Sequence, residues 1–390
     1  MDPSKQFCPN PTCPARGQMG AGNIRVHDRS RQRYRCRTCQ KTFSGRRGTM
    51  MEGLRKPTEL IVIVITLLSH GCPIQAMVAA FGLDERTVAS WRNRAGRHCQ
   101  HLHQAVVEQA KLDLVHVQAD EIRVKGRGMV AWMGLAIMVS TRLWLAGAVS
   151  LSRDRSLADR LLAQVHRCAA GVRPLLILTD GWAAYPKSIC RAFREKVKNQ
   201  SGRGRACLQM WPPLQIGTVI KRTAKKRVVE VIRRMAQGTL EQAEALLAES
   251  RGGSMLNTAF IERLHATFRQ RLATLTRRSR YAAHRLEALE TGMYLIGSTY
   301  NFCVFHDELS SKKHAGLPTT PAMAAGLSDH RWSIKELLLW KLVPAPWHVP
   351  KRRGGPSKDS RGEHKRLSTR PAHLRPRLRL RKGGLHAVTG

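Results

Sequence analysis

Three acidic residues lie in sequence contexts that would suit a shared metal site. Asp120 belongs to an apolar strand-like segment, Asp180 directly follows an apolar run, and Glu262 lies in a helical segment. Three converging carboxylates repel each other, so such a cluster is unfavourable without cations. Mg²⁺, or Mn²⁺ in its place, is bound by oxygen ligands and retains substrate phosphate oxygens. Two such ions roughly 3.5–4 Å apart can activate an attacking oxygen and stabilise a leaving one, which is the chemistry of phosphodiester cleavage.

Each acid also has an ordinary structural interpretation. Asp120 could cap a turn, and the adjacent Glu121 competes with it for a place in the site. Because neighbouring strand residues point to opposite faces, we expect at most one of the two in the cluster. Asp180 precedes Gly181 and could be a turn residue, and Glu262 could pair with an arginine on a solvated face. A shared metal site explains all three acids at once.

The third acid is accompanied by further polar residues. Residues 257–271 have helical periodicity, and Asn257 is a suitable N-cap. Positions 262 and 269 lie two turns apart on one face, which position 265 shares. His265 and Arg269 are therefore candidates to act beside Glu262.

The acids are predicted to be positioned by a mixed α/β sheet. Residues 114–124, 129–139 and 143–150 have the pattern of three strands with short connections, which favours antiparallel pairing. Residues 157–170 have an amphipathic helical pattern, and residues 174–179 form an apolar strand pattern. The order β-β-β-α-β predicts a mixed sheet, with Asp120 and Asp180 at the ends of its first and fourth strands.

Four cysteines near the N-terminus have the spacing of a structural zinc site. Cys8 and Cys13 form one pair, and Cys36 and Cys39 form another after a gap of 22 residues. Four thiolates complete the tetrahedral coordination of Zn²⁺, and the ion replaces the hydrophobic core that so short a unit lacks. The alternative is four unrelated buried cysteines. The same segment has six arginines suited to DNA contact: Arg25, Arg29, Arg31, Arg33, Arg35 and Arg37.

Residues 51–110 are predicted to be helical and to contain a helix-turn-helix. A helix with Pro73 at its first position can end at Gly82, and Asp84 can cap the next helix. Val88 and Trp91 would then face inward. The alternative is an ordinary helical hairpin within a core. The polar residues of the outer face are expected to contact the major groove of DNA: Arg86, Thr87, Ser90, Arg92, Asn93 and Arg94.

The charge of the chain favours a polyanionic partner. Its 390 residues contain 67 Lys and Arg against 27 Asp and Glu, a formal net charge of +40. Such basicity is unusual for a metabolic enzyme and points to nucleic acid or an anionic membrane. Since we find neither a signal segment nor a long apolar run, we expect a cytoplasmic, nucleoid-associated protein without a membrane partner. Residues 351–390 carry 13 Lys and Arg, which predicts a disordered basic tail.

Together these residues resemble the insertion-sequence-one family of DDE transposases. Thr179-Asp180-Gly181-Trp182, with Tyr185 after it, is similar to the second acidic motif of that family. Ile261-Glu262-Arg263, followed by His265 and Arg269-Gln270, resembles the third, and Asp120-Glu121 resembles the first. Residues 321–327 resemble a segment that follows the catalytic domain, and the upstream zinc ribbon and helix-turn-helix also match. Residues 186–256 have no close counterpart.

The resemblance implies a domain order and an activity. A zinc ribbon (1–50) and a helix-turn-helix domain (51–110) would precede an RNase H-like catalytic domain (111–345) with a mixed five-stranded sheet and flanking helices, and a basic tail (346–390) would follow. Asp120, Asp180 and Glu262 would bind two Mg²⁺ ions, and Arg269 and His265 would contact DNA. The protein would bind terminal inverted repeats, cleave DNA at the element ends and join the freed 3′-hydroxyl to target DNA. Joining two ends implies a homo-oligomer.

Three other function classes fit the sequence less well than a transposase does. A regulator descended from a transposase would bind DNA without cleaving it, yet all three acids are present here. A tyrosine or serine recombinase needs a covalent nucleophile, and its residue pattern is not found. A membrane-surface protein would need a long amphipathic basic helix, which the sequence also lacks.

Overall fold

The computed structural model describes residues 1–126, 128–197, 206–225, 227–275, 285–311 and 316–346. The disordered tail predicted for residues 346–390 lies outside this part of the chain, apart from its first residue. The N-terminal unit is a small antiparallel sheet of three strands, whose order in the sheet is that of the sequence: β1 (Ile24–Asp28), β2 (Arg33–Cys36) and β3 (Thr42–Ser44). Tyr34 pairs with Phe43 across β2 and β3, and their rings stack with centroids 6.1 Å apart.

Three helices follow: α1 (Thr58–Ser69), α2 (Ile74–Phe81) and α3 (Glu85–Val106). Gly82 ends α2 in the left-handed conformation with φ 59°, which glycine adopts without steric cost. Asp84 caps α3 by accepting the backbone N–H of Thr87 at 3.1 Å. Val88 and Trp91 are buried. The two helices, the turn and the cap predicted from the sequence are therefore confirmed, but Pro73 is the N-cap of α2 and not its first helical residue.

The central element is a mixed six-stranded sheet in the order β11-β10-β7-β4-β5-β6. The strands β4, β5 and β6 pair antiparallel, whereas β7 runs parallel to β4, and β10 runs parallel to β7. These pairings confirm the predicted mixed sheet. The strands are β4 (His116–Lys125), β5 (Val130–Met138), β6 (Trp144–Ser150), β7 (Leu175–Thr179), β10 (Leu214–Ala224) and β11 (Arg227–Gln237), and a separate two-stranded sheet contains β8 (Arg194–Val197) and β9 (Cys207–Met210).

The prediction of five strands in this sheet is wrong, because β11 adds an antiparallel edge strand beside β10. Both strands belong to the stretch 186–256, which has no close counterpart in the transposase family that the chain resembles. The side chains of β11 are mostly exposed, so the strand lacks the alternation of buried and exposed residues that marks a half-buried strand. Its register is set by pairing with β10 and not by burial.

Helices cover the sheet. On one side α4 (Arg155–Cys168) packs against β5 and β6, and α5 (Ala184–Ala192) packs against α4. The helix α6 (Leu240–Glu249) contacts β7 and β10, α7 (Ala259–Arg271) contacts β4 and β5, and α8 (Leu286–Cys303) contacts β6. The short helices α9 (Pro321–Ala324) and α10 (Ile334–Leu339) follow, and α10 packs against α1, α3 and α8. Within the described ranges, no helix combines the length and apolar character needed to span a bilayer.

The helices α3 and α8 approach each other closely at Gly96. A Cβ atom at this position would lie 2.2 Å from the backbone oxygen of Thr291. We expect Gly96→Ala to lower the free energy of unfolding by about 1–3 kcal/mol, because a backbone atom cannot move aside without shifting a helix. Gly292→Ala is the matched control, since its Cβ would meet the flexible end of Leu272. Urea unfolding of both variants measures the difference, and equal stabilities would contradict the close approach.

Two buried histidines make stability dependent on pH. Nε2 of His103 donates to the backbone oxygen of Leu145 at 3.0 Å, and burial lowers the pKa of His103 to about 4. Burial also lowers the pKa of His116 to about 3. The unfolded chain therefore binds more protons below pH 6.5, and the native state loses about 2 kcal/mol per histidine between pH 6.5 and 5. Urea unfolding at pH 7 and pH 5 should show this loss, reduced in His103→Gln and unchanged in His101→Gln, where the histidine is exposed.

Candidate metal centre

The parallel pairing of β4 with β7 brings two of the predicted acids together. The last parallel pair is Ala119 with Thr179, and Asp120 and Asp180 are the next residues of their strands. The prediction that Asp180 directly follows a strand is confirmed. Asp120, however, lies in the middle of β4 and not at its end, because β4 continues along β5 after β7 has stopped. The two carboxylates therefore lie together at the point where β7 ends and β4 continues beside β5.

Glu121 belongs to the same acidic cluster. Carboxylate oxygens of Asp120, Glu121 and Asp180 all lie within 4.8 Å of one another. The expectation that at most one of the adjacent acids joins the site is therefore wrong. Asp180 follows the end of β7, so its carboxylate is not confined to one face of the sheet and can meet side chains from both faces.

The negative charge of the cluster is only partly compensated by its neighbours. Burial, followed by the neighbouring Asp180 and Glu121, raises the pKa of Asp120 to about 7. Burial and Asp180 also raise the pKa of Glu121, whose side chain is only 2% exposed. Both shifts mean that a further positive charge at this position would be strongly favoured.

Arg153 bridges two members of the cluster, a role that no sequence motif indicates. Its guanidinium pairs with Glu121 and lies 3.2 Å from a carboxylate oxygen of Asp180. The same group lies 5.2 Å from the ring centroid of Trp132 and 4.7 Å from that of Trp182. The hydroxyl of Tyr185, a residue of the second acidic motif, donates to Glu121 at 2.8 Å. Together these contacts orient Glu121 and Asp180.

Glu262 lies near the cluster but outside its 4.8 Å group. Its carboxylate accepts hydrogen bonds from Lys221 of β10 and, at 2.6 Å, from the hydroxyl of Thr258. Although burial acts to raise the pKa of Glu262, these two donors lower it. The charge of Glu262 nevertheless contributes to the raised pKa of Asp120. Lys221 lies in the stretch that the sequence left unmatched, so its pairing with Glu262 was not predictable.

The helix α7 also brings His265 to the acids. Its Nδ1 lies 3.7 Å from a carboxylate oxygen of Asp120, and burial together with Arg269 lowers the pKa of His265 to about 4. The imidazole is therefore neutral near pH 7, and its Nε2 has no hydrogen-bond partner in the described part of the chain. Arg269 is exposed on the last turn of α7. The predicted N-cap is corrected by one residue: Thr258 holds that position, while Asn257 accepts the N–H of Ala259 at 3.1 Å.

The four N-terminal cysteines converge as the sequence predicts. Their sulfur atoms all lie within 4.8 Å of one another, with Cys8 and Cys39 3.6 Å apart and Cys13 and Cys36 3.9 Å apart. Tetrahedral bonds of about 2.3 Å would separate thiolates by about 3.8 Å. Against the effect of burial, hydrogen bonds from the Lys41 backbone and from Asn10 lower the pKa of Cys39 to about 7. The group has the geometry of a four-cysteine metal site.

Fewer of the polar residues of α3 are exposed than predicted. Arg86 and Ser90 are exposed and Thr87 is partly so, whereas Arg92, Asn93 and Arg94 are half-buried. Arg94 donates to the backbone oxygen of Met50 at 2.6 Å and to that of Glu52, and Asn93 accepts from Arg92 and Thr291. The outward orientation expected for these three residues is wrong, because beyond Trp91 the helix packs against α8 and against residues 50–52.

Comparison of the chain with models of protein families and with curated proteins gave no match. A functional assignment therefore rests on the geometry of the acidic cluster and of the four-cysteine group.

Proposed function

We propose that this protein is a transposase that cleaves and joins DNA strands with divalent cations bound at Asp120, Asp180 and Glu262. The single observation that carries the proposal is the convergence of Asp120, Glu121 and Asp180 within 4.8 Å in a chain of net charge +40. In a chain with so many cationic side chains, a cluster of three acids is unexpected unless the acids share a function. Phosphodiester chemistry with bound cations supplies such a reason.

The sheet supports the RNase H-like part of the proposal. Three antiparallel strands, β4 to β6, are followed by a helix and then by the parallel strand β7. This is the β-β-β-α-β order predicted from the sequence, with one acid in the first strand and one directly after the fourth. The third acid comes from α7, which packs against β4 and β5.

The charge balance of the cluster supports divalent cations. Arg153 pairs with Asp180 and Lys221 pairs with Glu262, yet the pKa of Asp120 is still raised to about 7. Carboxylate oxygens are the ligands that Mg²⁺ and Mn²⁺ prefer. Bound as a pair, these ions activate an attacking oxygen and stabilise a leaving oxygen on a phosphodiester. Glu121 supplies an additional carboxylate that the resemblance did not assign.

The remaining side chains would orient the substrate. The guanidinium of Arg153 and the ammonium of Lys221 lie beside the acids, where each could contact a phosphate oxygen once cations neutralise the carboxylates. His265 is neutral near pH 7 but only 4% exposed, so its place is beside Asp120, 3.7 Å away, and the DNA contact that the resemblance implies for it is not supported. Trp132 and Trp182 flank Arg153 and limit its motion.

The N-terminal region would provide DNA binding. A Zn²⁺ ion fits the four cysteines, because their sulfur separations match tetrahedral thiolate coordination. Arg86, Thr87 and Ser90 remain available at the start of α3 to contact the major groove of a terminal repeat. Joining of two ends would need at least two copies of the chain.

A nicking assay tests the proposal. The full chain is incubated with a supercoiled plasmid that carries its reading frame and flanking DNA, with Mg²⁺, with Mn²⁺ or with EDTA. We expect nicks at two mapped positions that bracket the reading frame, formed only with a divalent cation. A transposase-derived regulator would instead retard the flanking DNA in a gel without nicking it under any of these conditions.

A further inference from the structure

A cavity lies behind α7, on the side away from the acidic cluster. Glu262, His265 and Arg269 share one face of this helix, and the opposite face contributes to a cavity of about 360 Å³. That volume falls in the range of small-molecule binding sites. The residues of this opposite face recur at spacings of three and four: Phe260, Arg263, Leu264, Thr267 and Arg271.

Four arginines line the cavity, one of them Arg251. Arg263 and Arg271 come from α7, and Arg142 comes from the turn between β5 and β6. Arg142 is only 6% exposed, and its guanidinium lies 4.1 Å from the ring centroid of Phe260. Arg142, Arg263 and Arg271 form no ion pair with a carboxylate of the described residues, although Asp307 and Glu308 line the rim, and the Arg142 guanidinium donates to the backbone oxygen of Val139. The cavity therefore has an excess of positive charge.

Two polar atoms of the cavity lining are buried without a partner. Nη1 of Arg271 and Nδ1 of His306 have no hydrogen bond within the described ranges. Burial of an unpaired donor is costly, and native structures seldom leave one unless a ligand or water completes it. Burial lowers the pKa of Arg271, and burial with Arg142 and Arg263 lowers that of His306 to about 4. His306 is thus neutral near pH 7 and can still donate one N–H.

The backbone at Arg142 is also unusual. Its φ is 60°, a conformation that residues other than glycine rarely adopt. The hydroxyl of Tyr300 donates to the Arg142 backbone oxygen at 3.0 Å and helps to fix the turn. Such strain is kept where the surrounding structure needs the side chain in one direction. Here the strained turn holds a buried guanidinium that donates to the backbone oxygen of Val139 and belongs to a residue of the cavity lining.

We propose that this cavity binds a phosphate group through Arg142, Arg263 and Arg271. Guanidinium groups match the oxyanion by paired N–H donors, and three of them supply more positive charge than one phosphate neutralises. Nη1 of Arg271 and the imidazole of His306 supply the donors that are otherwise unused. The phosphate comes either from the DNA backbone or from a free phosphorylated compound. The proposal does not depend on strand cleavage, because α7 lies between this cavity and the acids.

Thermal unfolding of the full chain tests for a free phosphate. Potassium phosphate replaces potassium chloride at constant ionic strength and pH 7, and we expect the midpoint to rise with phosphate concentration. Arg263→Gln should lose this rise. Because Arg263 is exposed, the variant should fold. Arg173→Gln removes an equal charge at an exposed arginine that faces Asp113, and it should keep the rise. Arg271→Lys keeps its charge without the paired donors and should lose most of the rise.

Binding to a random-sequence duplex tests for a backbone phosphate. Anisotropy is measured over a range of salt concentrations for the same variants. Loss of one phosphate contact reduces the slope of log affinity against log salt by about 1, so Arg263→Gln should show this reduction relative to Arg173→Gln. Either result supports the site and identifies the source of its phosphate. If the two variants behave alike in both experiments, the proposal is overturned.

Discussion

Asp180→Asn is expected to reduce cation-dependent nicking by at least about a thousandfold, which corresponds to about 4 kcal/mol of transition-state stabilisation. Asparagine keeps an oxygen that can accept the backbone N–H of Trp182, now 3.0 Å away, so the turn after β7 should persist. What is lost is one negative charge of the cluster with Asp120 and Glu121. The affinity for Mn²⁺, measured by calorimetry, should fall in parallel because each carboxylate contributes to binding a hard cation.

The control is Asp113→Asn, which removes the same charge from an exposed residue that faces Arg173 at 3.9 Å. It should nick at the wild-type rate. Thermal unfolding should be no worse in Asp180→Asn than in the wild type, because the substitution relieves repulsion between crowded acids. An Asp180→Asn protein that folds, binds DNA and nicks like the control would rule out the proposed enzyme.

The second large effect concerns the four-cysteine site. Cys36→Ser should remove one equivalent of bound zinc and unfold the sheet of β1 to β3. The apparent free energy of Zn²⁺ binding in small zinc modules is about 10–16 kcal/mol, far more than so small a core supplies. Sequence-specific binding to the flanking DNA should then fall to the nonspecific level. Zinc content and gel retardation measure the two losses.

Cys190→Ser is the matched control, because Cys190 is a half-buried cysteine of α5 outside the cluster. It should retain both zinc and specific binding. A Cys36→Ser protein with unchanged zinc content would show that the four sulfurs, although they converge, do not hold the ion. Unchanged DNA binding after zinc loss would instead remove the ribbon from the recognition of DNA.

The sequence predicts those parts of the structure that depend on local pattern. The turn at Gly82 and the cap at Asp84 follow from residue chemistry within one helical turn. Asp180 could be placed because the apolar strand before it ends abruptly. The four cysteines could be grouped by spacing, because thiol pairs close together in the chain are a common way to form one metal site.

The parts that were missed depend on contacts between distant segments. Whether Glu121 joins Asp120 and Asp180 depends on where β7 stops beside β4, and a pattern of alternate residues does not contain that register. Lys221 reaches Glu262 because β10 pairs with β7. The sequence pattern places Arg94 on the polar face of α3, yet its guanidinium donates to the backbone oxygens of Met50 and Glu52.

The close approach of α3 and α8 at Gly96 has a consequence for how DNA would be cut. In the proposed transposase, a base-reading α3 packed on α8, which itself packs on the sheet that carries the acids, would act as a ruler between the recognised sequence and the scissile phosphate. One inserted base pair would move that phosphate by about 3.4 Å along the duplex axis and turn it by about a tenth of a helical turn. The spacing between the terminal repeat and the cut would then be set by the protein and not by the DNA.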